Sequence, residues 1–195
     1  MQKPQYISVF MALPSIMTVI GILLTKNYIV RWGKKKVTAI GYAGAGITLI
    51  LMYFMDPSNL TLMIVLHALY GFFCFSFPIP MSMIPEAINY QEDRIGIRTD
   101  GLAYAATSLS TKVGNAFGPA MALMIMGAFG YVANAQQSVE AMKGINLATN
   151  LVFGICYLLA LIPLFLYPLN AEKNAQIQAS LDAKRNARQA GMEKE

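Results

Sequence analysis

The chain has 195 residues, of which 56% are hydrophobic and 13% charged, and its mean hydropathy is +0.48. Soluble domains average about 25% charged residues, so this composition excludes a soluble enzyme, a disulfide scaffold and a nucleic-acid-binding domain. The net charge of +5 does not call for a nucleic-acid partner, because the charges sit between long apolar runs as topogenic signals. The fold class predicted is an all-α polytopic membrane protein whose partner is the lipid bilayer.

In chain order, uncharged runs cover residues 4–25, 37–55, 57–85, 101–111 with 113–139, and 144–171. About 20 apolar residues span a bilayer, so about five transmembrane helices are expected, at 9–29, 37–55, 60–81, 101–127 and 146–168. The first run is too long for the h-region of a signal peptide and lacks a small-residue cleavage site. Trp32 falls at an interface, where aromatic belts form. On the second span Gly41, Gly44 and Gly46 permit close helix approach. In the third, Pro78 and Pro80 require a break or kink. His67 reads as a residue hydrogen-bonded to a neighbouring helix, with a proton relay as the alternative. Cys74 and Cys156 lie inside uncharged runs as buried or lipid-facing thiols. Residues 1–170 form the transmembrane region and 171–195 a polar tail. Within the tail, Ile177 and Leu181 make a weak apolar stripe on a short helix expected near the headgroups.

The spans alternate in direction. Segments 26–36, 84–99 and 171–195 then share one side and hold twelve Lys and Arg residues, against Lys3 and Lys143 opposite. Cytoplasmic segments are the basic ones, which puts the amino end outside and the carboxyl tail inside.

Lys112 is the sharpest single feature. It lies about 17 Å into the fourth span at about 1.5 Å per residue, near the middle of a hydrocarbon core about 30 Å thick. An unpaired cation there costs from ~2.5 to more than ~10 kcal/mol. Ser108 at i−4 and Asn115 at i+3 share its face, with Tyr104 and Thr111 close by, and Gly114 and Gly118 offer an adjacent face to another helix. Such a lysine pairs with acids and releases them when a cation or substrate arrives; a purely structural ion pair is the alternative. The five spans hold no Asp or Glu near mid-depth, and Asp100 is too near the cytoplasmic end, so the partner must come from elsewhere.

The segment Pro85-Glu-Ala-Ile-Asn-Tyr-Gln-Glu-Asp-Arg-Ile-Gly-Ile-Arg-Thr-Asp-Gly101 resembles the corresponding loop of the glycoside–pentoside–hexuronide:cation symporters, the melibiose-permease-like branch of the major facilitator superfamily. That loop reads approximately Ala-Asp-x-x-Asp-Tyr-x-x-x-x-Thr-Gly-x-Arg-x-Glu-Gly, with Lys-x-Gly on the helix that follows. Tyr90, Gly96, Arg98, Asp100 and Gly101 match by identity or charge, and Lys112-Val-Gly114 follows at the family spacing. Arg31-Trp-Gly-Lys-Lys-Lys36, Gly130-Tyr131 and Tyr167-Pro-Leu169 match as well. Pro85-Glu86 stands where the family has Ala-Asp, Asn89 replaces an acid, and Ile95 replaces a common Thr.

The resemblance implies helices eight to twelve of a twelve-helix transporter built from two halves, with a sugar site between them. Five spans with an external amino end and no signal peptide likewise read as a piece beginning part-way through a longer transporter. On this reading Lys112 faces membrane acids of an amino-terminal half, in a substrate and coupling cavity shared with Ser108, Thr111, Asn115 and Tyr104. Phe77, just before the proline break, is the candidate to stack on a sugar's apolar face. Glu86, Tyr90, Arg94, Arg98 and Asp100 form a cytoplasmic latch between halves, or else a solvated loop with topogenic arginines. The implied function is alternating-access symport, not enzymatic catalysis, of a glycoside, pentoside or hexuronide with sodium, a proton or lithium. The cation's ligands lie mostly in the other half, and the implied location is the bacterial inner membrane. Alone, the chain is expected to be inactive. The alternatives are a truncated or degenerate gene product, or a half-transporter that assembles with a separately encoded amino half.

Overall fold

In the computed structural model, which describes residues 4–56 and 59–192, the chain is helical and shows no strand among the described residues. Helix α1 (Pro4–Trp32) passes into α2 (Lys34–Phe54) through one residue, Gly33, whose φ of 78° suits glycine. The N–H of Gly33 donates to the Ile29 carbonyl at 2.8 Å, closing the end of α1. The basic segment 26–36 is therefore a helical corner, not a loop. Both helices are long enough to cross a hydrocarbon core of about 30 Å, and charge is tolerated where helix ends reach the headgroups.

Helix α3 (Leu60–Phe73) starts at Asn59, whose side chain accepts from the Leu62 N–H at 3.2 Å. It tightens into a 3₁₀ turn at Cys74–Ser76 and restarts as α4 (Ile79–Ile95). Pro78 precedes the new helix and Pro80 occupies its first turn, where a missing N–H costs nothing. This is the break the prolines demanded. The segment expected as a loop from residue 84 is instead mostly helix: α4 runs to Ile95 with Pro85 inside it, and Gly96, at φ 71°, ends it. Good helix formers such as Glu86, Ala87, Gln91 and Glu92 explain the extension.

Helix α5 (Asp100–Ala128) covers the whole expected fourth span. The next passage joins α6 (Val139–Asn146), a π turn (Leu147–Val152), α7 (Phe153–Leu159) and α8 (Leu161–Leu166), beginning earlier than the expected residue 146. At its bend Asn146 Nδ2 donates to the Tyr53 carbonyl at 3.1 Å, and Asn150 Nδ2 donates to Asn146 Oδ1 at 2.7 Å. The tail is helix α9 (Ala171–Met192). Among the described residues, four helical stretches are long and apolar enough to cross a membrane: Phe10–Trp32, Lys34–Phe54, Leu60–Ile95 and Val139–Leu166. Helix α5 has the length, but Lys112, Asn115 and its hydroxyl residues leave it less apolar than those four. The architecture is an all-α polytopic membrane bundle.

Helices α1, α2 and α3 pack closely, and glycines set the distance. A side chain at Gly71 would run into the backbone of Pro14, one at Gly41 into Ser76, one at Gly44 into the Phe73 ring, and one at Gly46 into the Gly154 carbonyl. The three glycines of α2 thus serve the close approach expected of them. Beside Gly71, Thr18 Oγ1 donates to the carbonyls of Pro14 (2.8 Å) and Gly71 (2.7 Å), tying α1 to α3. Buried side chains gather around Phe75, Ile79 and Met83 near the break, and around Leu49, Met52 and Leu66.

Two regions depart from this pattern. The apolar stripe of the tail helix is not left for lipid: Ile177 (6% exposed) and Leu181 (3%) are buried against Leu169, Tyr90 and Tyr167. Its stripe finds a protein surface instead of lipid because α4 projects far enough to meet it. And α5 buries none of its residues. Nothing lies within 4 Å of where a Cβ would stand on Gly114 or Gly118, so no described helix uses the close approach they offer.

Candidate functional site: the polar face of α5 and the α4–α5 joint

At about 3.6 residues per turn, Tyr104, Ser108, Thr111, Lys112 and Asn115 form one stripe along α5, and Val113, Phe117 and Met124 lie on the opposite side. The helix is amphipathic along its length: an ammonium, an amide and hydroxyls on one face, apolar side chains on the other. Thr111 Oγ1 donates to the Thr107 carbonyl at 2.9 Å, as Thr107 and Ser110 do to Ala103 and Ala106, so these hydroxyls are satisfied within the helix. Lys112, Ser108 and Asn115 are exposed and make no hydrogen bond or ion pair among the described residues. Tyr104 is half exposed. Ser108, Lys112 and Asn115 are thus the polar groups of the stripe left without a partner among the described residues.

Phe77 stands in the break between α3 and α4, 71% exposed and with no ring partner among the described residues. It is available for stacking, and no contact brings it to the α5 stripe within this chain. His67 Nδ1 is buried without a hydrogen-bond partner among the described residues, its ring 5.4 Å from that of Phe10 and 6.2 Å from that of Tyr70. Cys74 is half-buried and Cys156 exposed, both as free thiols.

The expected latch residues are all paired inside the chain. Glu86 Oε1 accepts from Lys34 Nζ at 2.7 Å, and its Oε2 accepts from the Tyr167 hydroxyl at 3.2 Å, joining α4 to α2 and to the end of α8. Arg98 donates to both carboxylate oxygens of Asp100 at 2.5 and 2.9 Å, to Glu92 at 2.8 Å and to Asn89 at 3.2 Å. Asp100, with help from Glu92, holds the Arg98 guanidinium above its ordinary pKa. The fork bends the four-residue joint 96–99 between α4 and α5. Arg94 donates to the Tyr90 hydroxyl at 3.0 Å and lies over the Tyr90 ring, which Lys173 also approaches, at 5.2 Å.

Sequence reading missed how far the tail takes part. Arg185 reaches Glu92 at 3.3 Å, so one carboxylate serves both the joint and α9. Asp93 accepts from Lys184 and Ser180 at 2.7 and 2.8 Å, and Asn89 donates to Gln178 at 3.0 Å. Exposed pairs of this kind contribute little, because water and salt screen them. Burying the Ile177 and Leu181 side chains contributes more to the docking of α9. The one signal in the sequence was the i,i+4 pair itself. Lys35 was also missed. Its Nζ donates to the carbonyls of Phe165 (3.0 Å) and Tyr167 (2.6 Å), capping the orphan end of α8.

Residues 1–171 match the family model described as MFS/sugar transport protein. Curated relatives include the uncharacterized symporter YnaJ of Bacillus subtilis, 32% identical over 77% of this chain and 33% of that protein. The glucuronide carrier protein homolog of Escherichia coli is 27% identical over 88% of this chain and 38% of that protein. The putative glycoside/cation symporter YagG of Escherichia coli is 29% identical over 92% of this chain and 39% of that protein. The chain thus spans between a third and two-fifths of the length of these relatives.

Proposed function

The chain belongs to the MFS/sugar transport protein family, and we propose that it is the carboxyl-terminal portion of a sugar:cation symporter that works by alternating access. The observation that carries this reading is α5: a 29-residue helix with no buried residue, whose polar stripe centres on Lys112, which has no partner among the described residues. A mid-membrane ammonium is tolerated beside water or an acid, so α5 is taken to line a cavity whose far wall, with the acids that bind the coupling cation, belongs to an amino-terminal half. Ser108, Thr111, Asn115 and Tyr104 line the same cavity, and Phe77 offers its ring to a sugar. The relatives' printed names, a glucuronide carrier and a glycoside/cation symporter among them, support a glycoside or hexuronide as the class of substrate, with sodium, a proton or lithium beside it.

The charged network at the α4–α5 joint sits at the cytoplasmic end of α5, where it can pass movement of that helix to α4, α9 and the facing half. The basic corner at residues 31–36 and the basic tail support a cytoplasmic location for these groups, in the inner membrane of a bacterium. Uptake of a labelled glucuronide tests the reading. Cells producing this chain together with the amino-terminal half of a relative are expected to accumulate it in a cation-dependent way, and cells producing the chain alone are not. Equal uptake by the chain alone would contradict the proposal.

A further inference from the structure

The α1–α2 corner carries more cations than the fold uses. A cavity of about 630 Å³ opens there, bounded by the corner on one side and by Tyr167–Asn174 on the other. Arg31, Lys34, Lys35 and Lys36 line it against two carboxylates, Glu86 and Glu172. Lys34 is engaged by Glu86, and Lys35 by the carbonyls at the end of α8. Arg31 and Lys36 are exposed and have no hydrogen-bond or ion-pair partner among the described residues. The cavity therefore keeps an excess of positive charge that nothing among the described residues neutralises.

A second, apolar groove of about 190 Å³ adjoins it and shares Trp32. Tyr28, Val37, Ile40 and Phe72 line this groove, and Trp32 lies stacked on Tyr28 with ring centroids 5.6 Å apart. It runs from the interfacial tryptophan toward the hydrocarbon. We propose that the corner binds an anionic phospholipid, its phosphate in the basic cavity and an acyl chain along the groove beside Trp32. A basic pocket next to the membrane surface selects anionic headgroups, and the adjoining groove suits a molecule with a tail. A soluble phosphate would leave the groove unused. A second copy of the chain would bring the same positive charge to the corner. The inference does not depend on which solute the chain carries.

Trp32 is the chain's one tryptophan, which makes it the probe. The full chain is placed in phosphatidylcholine vesicles containing an equal minor fraction of dibrominated phosphatidylglycerol or dibrominated phosphatidylcholine, and quenching of Trp32 fluorescence is compared. Phosphatidylglycerol is expected to be favoured about five-fold or more, the scale of one cation near an anionic surface. The preference is expected to fall toward unity in Arg31→Gln with Lys36→Gln, and to persist in Lys26→Gln, whose lysine is exposed outside the cavity. Equal quenching by the two lipids in the unaltered chain would overturn the proposal. So would a preference that survives the double substitution, a Trp32 that neither lipid reaches, or displacement of the brominated lipid by inorganic phosphate.

Discussion

In the complete transporter, Lys112→Val is expected to abolish cation-coupled uptake while leaving the amount of protein in the membrane unchanged. The second half of that expectation comes from the structure: Lys112 is exposed and forms no contact that holds this chain together. The first half comes from where the charge sits. Removing one member of a buried ion pair leaves its partner uncompensated, at about 3–5 kcal/mol, and about 1.4 kcal/mol is a factor of ten. Loss of coupled uptake by at least a hundred-fold follows. The check is radiolabelled uptake with and without a cation gradient, beside an immunoblot of membranes. Undiminished, still cation-dependent uptake would remove Lys112 from the coupling machinery.

A comparable loss, of stability this time, is expected from Gly71→Leu. The added side chain would meet the backbone of Pro14, which cannot rotate aside as a flexible side chain can. Helices α1 and α3 would have to separate, breaking the hydrogen bond from Thr18 to the Gly71 carbonyl (2.7 Å). Overpacking costs typically about 1–3 kcal/mol, and a hydrogen bond between membrane helices about 0.6–2 kcal/mol, so a loss of about 2–5 kcal/mol is expected. Gly114→Leu is the matched comparison: nothing stands within 4 Å of its Cβ position in this chain. Thermal unfolding of the detergent-solubilised chain is expected to shift sharply for the first substitution and little for the second. Equal shifts would mean that α1 and α3 are not held as described.

What the sequence revealed, and what it hid, divides along physical lines. Apolar runs show where a chain can cross a bilayer, because hydrocarbon tolerates almost no charge over about 20 residues. They do not show where a helix ends once it reaches water, and this is why the corner at Gly33 and the helical run to Ile95 read as loops. The prolines at 78 and 80 were legible because a missing N–H acts locally, wherever the segment sits. The glycines of α2 were legible as a class, but their partners were not, since Ser76, Phe73 and Gly154 are chosen by tertiary packing. The lysine at 112 stood out by its depth alone. The tail's docking on α4 was concealed: two apolar residues among charges look the same whether they face a headgroup layer or a protein groove. The charged residues of the α4–α5 joint were recognisable as a set, yet their pairing inside the chain, with α9 sharing Glu92, came only with the fold.

The central claim is that the stripe of α5 faces water and its opposite face meets lipid. The most direct measurement is labelling by a membrane-impermeant maleimide in the complete transporter with its native cysteines replaced, comparing Ser108→Cys with Phe117→Cys. Rapid labelling is expected at 108, slowed by substrate, and little at 117. Slow labelling at 108, or equal rates at the two positions, would contradict the claim.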